Sequence, residues 1–286
     1  MINLHDIRYV YLGTRDLDSA VEFSTTMVGL QFARREGNRV YLRGDNRDHT
    51  LCYFEGDPAD HTVGFELRTA AELDAAASEL ENGGHRVEWG TPEGCEMRRC
   101  QRYIAFRDPS GNRIELVWRP FDGSGRRYFP GRDAGITDFS HIGLCSTDPV
   151  RDEAFWTRVC NARVSDWIGA APLLRIDEVH HKMALFPSKT PGVQHINHQV
   201  ADFNDIMRAY YFLKERNVRI VFGPGRHPTS GAIFLYFEGP DGMVYEYSTG
   251  VKRITDETNH VPRQFPFTPE GFCMWGSKPD IPAFRD

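Results

Sequence analysis

Three side chains in the second half of the chain are of the types that hold a metal: His141 in "FSHIGLCSTD", His195 in "VQHINHQVADF" and Glu246 in "VYEYSTG". Each lies in an apolar run that reads as a strand. Glu246 stands in "MVYEYS", where burying a carboxylate is costly without a cation or a donor. Two neutral imidazoles and one carboxylate on a single face, with neighbouring positions left open, form the facial triad that suits non-haem Fe(II). Any one of them alone is more simply a polar residue on a solvated strand face. Their spacing from the surrounding elements decides between the two readings.

Those elements recur along the chain. "DIRYVYLGTRDLDSAVEFSTTMVG" (6–29) and "DFSHIGLCSTDPVRDEAFWTRVCN" (138–161) share one plan, an apolar-rich strand, an Asp cap and then a helix. The caps are Asp16 and Asp148, and Pro149 takes the first helical position, where its missing N–H costs nothing. "HTVGFELRTAAELDAAASELENGG" (61–84) and "QHINHQVADFNDIMRAYYFLKERN" (194–217) repeat the plan. There Thr69 and Glu72 are spaced as a capping box, and Gly83-Gly84 closes the helix. Three strand-like runs follow each helix, as in "RVEWGT", "RYIAFRDP" and "RIELVW". The expected fold is therefore α+β, with four βαβββ modules paired into two domains. "FRDPSGNRIELVW" (106–118) and "FEGPDGMVYEYS" (237–248) close the second and fourth modules in matching places. We expect domains over 1–120 and 138–250, a linker over 121–137 in a stretch rich in Gly, Arg and Asp, and a tail over 251–286.

Aligning the halves on their helix caps supplies an internal control. Seven residues before Asp148 and Asp202 stand His141 and His195; seven before Asp16 and Thr69 stand Tyr9 and Thr62. Glu246, after "GPDG", matches Glu115, after "DPSG". Only the C-terminal half can bind a metal with this set. His198 lies at odd spacing from His195, so strand alternation points it to the opposite sheet face.

Composition removes other classes. The chain has 286 residues, 40% of them apolar, and a formal charge of -6 from interspersed acids and bases, so a real core is expected. No basic run follows a phosphate backbone and no apolar stretch is long enough to span a bilayer, which argues against nucleic acid and membrane as partners. "MINLHDIRYVYLG" has neither a charged n-region nor a continuous apolar h-region, so a cytoplasmic location is expected. The six cysteines form no CxxC pair, and their scatter fits reduced, packed thiols.

The contexts of His141, His195 and Glu246 resemble those of the type I extradiol ring-cleaving dioxygenases of the vicinal oxygen chelate (glyoxalase/bleomycin resistance) superfamily. The resemblance covers nearly the whole chain. It implies a catalytic C-terminal pair of modules, an N-terminal pair without metal, and in each domain a curved mixed sheet forming an open barrel-like cavity. It implies a mononuclear Fe(II), occasionally Mn(II), on His141, His195 and Glu246, with dioxygen as co-substrate. "EVHHKMALFP" (178–187) places His181 like the family's acid/base histidine, and on a strand His180 would face the other side. "GPGRHPTSGAIFLYFEGPDG" (223–242) places His227 and Tyr236 like the family's other site histidine and its tyrosine; taken bare, these are a turn residue and a core aromatic. Some members that take carboxylated catechols carry an arginine just before the GPG turn, where this chain has Phe222, which favours a catechol with an apolar or bicyclic substituent.

The implied reaction is proximal extradiol (meta) cleavage to a 2-hydroxymuconic semialdehyde-type product. Tyr236 and His227 would bond the catecholate oxygens, and a protonated His181 would stabilise developing charge and act as acid. The family also implies a homo-oligomer. Two rivals share the modules: a glyoxalase- or epimerase-type isomerase that enolises its substrate on a divalent metal without dioxygen, and a non-enzymatic small-molecule binding protein lacking the ligands.

Overall fold

A computed structural model describes residues 1–122 and 128–281. The first module comprises β1 (Asp6–Thr14), α1 (Leu17–Thr26), β2 (Gln31–Glu36), β3 (Arg39–Arg43) and β4 (Leu51–Glu55). The second comprises β5 (His61–Leu67), α2 (Ala70–Asn82), β6 (Glu88–Trp89), an inserted α3 (Pro92–Arg98), β7 (Cys100–Arg107) and β8 (Arg113–Pro120). The third is β9 (Ile136–Ser146), α4 (Pro149–Arg158), β10 (Arg163–Ile168), β11 (Ala171–Arg175) and β12 (Met183–Pro187). The fourth is β13 (Gly192–Val200), α5 (Phe203–Glu215), β14 (Ile220–Arg226), β15 (Ile233–Glu238) and β16 (Val244–Thr249). A short β17 (Arg263–Phe265) and α6 (Pro269–Phe272) follow.

The caps hold as the sequence requires. Asp16 and Asp148 accept from the N–H groups of Ser19 and Arg151, and Thr69 with Glu72 closes a capping box. Asp202 and Asp205 form a second box. Each satisfies backbone donors that the first helical turn leaves orphaned.

The strands form two mixed sheets, ordered β2-β3-β4-β1-β5-β8-β7-β6 and β14-β15-β16-β13-β9-β12-β11-β10-β17. Apart from β17, the second is the first with each strand replaced by its counterpart. The register repeats as well. Tyr9 and Glu115 flank Gly64 across the β1–β5 and β5–β8 ladders, while His141 and Glu246 flank Asn197 across β9–β13 and β13–β16. Tyr11 opposes Thr62 as Gly143 opposes His195. The seven-residue count from each cap therefore puts equivalent side chains at equivalent points of both sheets.

One apolar core runs through both halves, from Ile7, Val63 and Leu116 to Ile142, Ile196 and Tyr247. Polar ties cross between them: Tyr247 donates to the Val28 carbonyl at 2.6 Å, and Lys182 meets Asp6 at 2.8 Å. Three features differ from the sequence reading. β6 is only two residues long, and α3 follows it, capped by Thr91 with Pro92 in its first turn. His180 and His181 lie in the loop between β11 and β12 rather than on a strand, so strand alternation does not set their directions. The aperiodic tail lays β17 parallel to β10 and packs Phe272 and Ile281 into the second apolar cluster. The expected linker includes residues 123–127, which lie outside the described residues. Among the described residues no helix is long and apolar enough to cross a membrane. All six cysteines are free.

Candidate metal centre

β9, β13 and β16 are neighbours in the C-terminal sheet, and each contributes one side chain to a common point. The Nε2 atoms of His141 and His195 lie 3.2 Å apart, and Glu246 Oε2 lies 2.9 Å from the first and 3.5 Å from the second. One donor atom from each falls within 4.8 Å of the others, and all three residues are buried. Close approach is built into the backbone. A Cβ at position 143 would stand 2.4 Å from His195 Nδ1, so glycine there makes room for the ring.

The proton positions point to a cation. His195 Nδ1 pairs with the Gln194 side-chain oxygen, which only accepts, so Nδ1 carries the hydrogen and Nε2 presents its lone pair. Burial pushes His195 down to about 3, against the opposing pull of Glu246, so the ring is neutral. Burial works to raise the Glu246 carboxyl, but the imidazoles of His141 and His227 outweigh it and hold it well below its ordinary value. Its Oε2 nevertheless has no hydrogen bond, because the contact with His141 falls outside hydrogen-bonding geometry. Its ion-pair neighbours are all imidazoles, with His227 Nε2 at 3.5 Å from Oε1.

The N-terminal sheet shows how the same position is neutralised without metal. Glu115 is fully buried, and Arg98 donates to both of its oxygens at 2.6 Å while the Tyr9 hydroxyl donates at 2.7 Å. Arg98 arrives on α3, the helix that the sequence reading missed. The C-terminal carboxylate has no guanidinium or ammonium beside it among the described residues; three imidazole nitrogens converge on it instead. This donor set fits a divalent ion.

A pocket opens at the site, and its polar lining comes from His181, Gln194, His195, His227, Thr229 and Tyr236. Phe222, Phe186, Ile168, Leu173, Ala184 and Phe272 supply its apolar lining. His227 Nδ1 donates to the Phe272 carbonyl at 2.8 Å, which turns Nε2 toward the Tyr236 hydroxyl 3.2 Å away. Tyr236 opposes Glu246 across β15–β16, and burial, with the Glu246 charge, raises its phenol well above the ordinary value. The His181 ring lies 4.2 Å from that of His141, centroid to centroid, and burial drives its pKa well down. The structure thus brings all six candidate residues to one place. His198, also buried, packs against Phe139 and Tyr245 on the other face, and burial lowers it to about 4.

The sequence reading missed Gln194, Arg98 and Phe272. Gln194 adjoins His195 in sequence, and the Thr91-Pro92 pair signals α3; only the third dimension brings Phe272 to the pocket.

Comparison with known proteins places this geometry in a family. The model of the "Glyoxalase/Bleomycin resistance protein/Dioxygenase superfamily" matches residues 6–116 and 138–247. The chain belongs to that superfamily. Within it, the chain is 28% identical to a 3-methylcatechol 2,3-dioxygenase of Pseudomonas putida, covering 96% of this chain and 99% of that one. It is 23% identical to an iron-dependent extradiol dioxygenase of Rhodococcus jostii, covering 90% and 93%. It is 26% identical to a manganese-dependent 2,3-dihydroxybiphenyl 1,2-dioxygenase of Geobacillus genomosp. 3, covering 81% and 80%. Among solved structures, a halotolerant catechol dioxygenase superposes with a TM-score of 0.89 at 22% identity, covering 99% and 98%. The Mn(II)-bound glyoxalase of Novosphingobium aromaticivorans superposes at 0.86 with 25% identity, covering 99% and 94%. The relatives of this chain within the superfamily thus include extradiol ring-cleavage dioxygenases.

Proposed function

We propose that the protein is an extradiol dioxygenase that opens a catechol bearing an apolar or bicyclic substituent next to its diol. Residues 138–250 form the catalytic domain in this reading, and residues 1–120 a domain without metal. The observation that carries it is the contrast between Glu115, neutralised by Arg98, and Glu246, at the same register and faced by histidines. His141, His195 and Glu246 would hold a divalent ion, Fe(II) rather than Mn(II), and that ion would supply Lewis-acid and one-electron chemistry toward a catechol and dioxygen.

The chain's own residues do the rest. Tyr236 and His227 lie where a hydroxyl and an imidazole can bond the substrate oxygens and hold the ring in a single orientation. His181, neutral at rest, accepts a hydroxyl proton from the incoming catechol and returns it to oxygen during ring opening. Phe222, Phe186, Leu173 and Ile168 bind the ring substituent and exclude water. Both atoms of dioxygen end in the product as the carbon–carbon bond beside the diol breaks, so no external reductant enters. The product is a 2-hydroxymuconic semialdehyde-type compound.

The test is anaerobic reconstitution with Fe(II) or Mn(II), followed by a catechol panel read by dioxygen uptake and yellow product. One dioxygen consumed per catechol supports the reading, and the more active ion identifies the metal. Full activity in chelator-treated, metal-free protein overturns it. The likeness to a Mn(II)-bound glyoxalase favours one rival, an isomerase. Metal-dependent turnover of a hemithioacetal, with no dioxygen uptake on any catechol, would establish it. The same reading takes the protein to be a cytoplasmic homo-oligomer, which sedimentation of the purified chain and fractionation of the source cells examine.

A further inference from the structure

Behind His181 runs a line of polar side chains that the reaction just described does not use. His181 Nδ1 lies 3.1 Å from His180 Nδ1, and His180 Nε2 lies 2.9 Å from Asp166 Oδ2. Asp166, on β10, receives Arg263 of β17 three times: from the backbone N–H at 2.8 Å, from Nε at 3.1 Å and from Nη2 at 2.6 Å. His180 and Asp166 are fully buried, whereas the Arg263 side chain is 47% exposed. The line therefore runs from the surface, through the tail strand, to a residue that lines the pocket.

The hydrogens along it are fixed by elimination. Burial works to raise the Asp166 carboxyl, but the hydrogen bonds of His180 and Arg263 outweigh it and bring it to about 2, so it only accepts. His180 Nε2 must then carry the hydrogen that Asp166 receives. Burial lowers His180, against the pull of Asp166, and the neutral ring leaves Nδ1 with a lone pair. That lone pair accepts from His181 Nδ1–H. His181 keeps Nε2 unprotonated, the one ring nitrogen left for the pocket.

We propose that Asp166 and His180 are positioning residues that set the tautomer of His181, with Arg263 as their anchor on the C-terminal tail. The inference rests on the dioxygenase reading for its consequence, since a base must present a lone pair to the proton it takes. The tautomer itself does not depend on that reading. Were His180 absent, His181 would be free to place its hydrogen on Nε2, and the nitrogen facing the substrate would become a donor. A purely structural ion pair that docks the tail would move stability and leave the His181 tautomer alone.

The experiment uses the full chain, labelled with ¹⁵N-histidine and loaded with Zn(II) as a diamagnetic probe, and reads long-range ¹H–¹⁵N correlations. The parent should show His181 protonated at Nδ1 and not at Nε2. His180→Phe should lose that pattern, whereas His180→Gln, whose side-chain carbonyl can accept from Nδ1–H, should restore it. Fe(II)-loaded His180→Phe should show kcat lowered about 10–100-fold with KM and metal content near the parent values, the scale for removing a supporting hydrogen bond. His180→Gln should recover most of that loss. If His180→Phe does not fold, Asp166→Leu, which leaves His180 Nε2 no acceptor at that position, repeats the test one step further out, and an unchanged His181 pattern there overturns the relay. An unchanged pattern with parent kcat in His180→Phe overturns it as well. A parent that shows the predicted pattern but cleaves no catechol overturns the dioxygenase reading and leaves the tautomer assignment standing.

Discussion

Arg98 carries the comparison between the two halves, and replacing it with methionine tests that comparison. Glu115 is fully buried and receives three hydrogen bonds, two from Arg98 and one from Tyr9. Arg113 Nε stands 3.7 Å from Oε1 and is the remaining cation near it. Arg98→Met keeps most of the apolar stem but removes two of the three bonds and the main counter-charge. Breaking a buried pair by deleting one partner costs about 3–5 kcal/mol, because the other charge is left uncompensated. An exposed pair would cost about 0.2–1 kcal/mol, so the two situations are separable. The double variant Arg98→Met, Glu115→Gln removes the stranded charge and should recover most of the loss. Urea denaturation followed by circular dichroism measures the first unfolding transition, and metal analysis is run on the same samples. Bound metal per chain should be the same in parent, single and double variants, since Arg98 lies on α3 in the other half of the chain. A loss below about 1 kcal/mol in Arg98→Met would mean that a carboxylate at this register tolerates losing its main counter-charge. The inference from Glu246 to a bound metal would then fail with it.

Other outcomes follow from the same geometry. His195→Ala should abolish metal binding while His198→Ala, whose ring packs on the opposite face, should retain it; equal metal loss in both would contradict the assignment. Phe222→Arg should shift kcat/KM by about tenfold or more toward carboxylated catechols, the scale of one pocket contact, and an unchanged substrate ranking would remove Phe222 from specificity. Asp166, depressed to about 2 when folded, adds stability that is full above its ordinary value near 3.8 and is lost as pH falls toward 2. The parent should therefore lose about 2 kcal/mol across that window beyond what Asp166→Asn loses, and parallel acid limbs in pH-dependent unfolding would refute it. Chelation of metal held at about 100 times its dissociation constant should remove about 2.7 kcal/mol and lower Tm by several degrees; an unmoved Tm would argue against a resident ion.

The convergence of His141, His195 and Glu246 was legible in the sequence because everything that fixes it is local or periodic. A cap sets where each helix begins, strand alternation sets which side chains share a face, and seven residues separate Asp148 from His141 and Asp202 from His195. Glu246 followed from the turn that starts β16. His180 resisted the same reasoning. Alternation was applied to "EVHHK" as a strand, but the segment is a loop, and the ring turns back to His181 instead of facing away. Arg98 was invisible because its partner lies across a sheet, 17 residues further along the chain. The tail gave no periodic signal because its fixed points, Arg263 on Asp166 and Phe272 at the pocket, are single contacts with partners 97 and 45 residues away.

The difference between the halves comes down to one connection. Both sheets bring a glutamate from the strand beside the central pair, and both must neutralise it in a dry interior. In the N-terminal half, β6 stops at Trp89 and the connection to β7 carries α3, which brings Arg98 to Glu115 and over the Tyr103 ring, 4.1 Å from its centroid. The guanidinium satisfies both oxygens of Glu115. In the C-terminal half, the counterpart between β14 and β15 is residues 227–232, too short for such a helix. It places His227 in the pocket lining, with Nε2 3.5 Å from Glu246 Oε1, and brings no guanidinium to that carboxylate. A tyrosine at the first position suits the closed arrangement, since its hydroxyl adds a donor to an already neutralised carboxylate. A histidine there suits the open one, since it brings a second lone pair to a site where an ion must do what Arg98 does. Length of one loop and identity of the strand residues at positions 9/141 and 62/195 thus have to change together: Tyr9 without Arg98 would leave a buried charge, and His141 beside an arginine would have nothing to ligate.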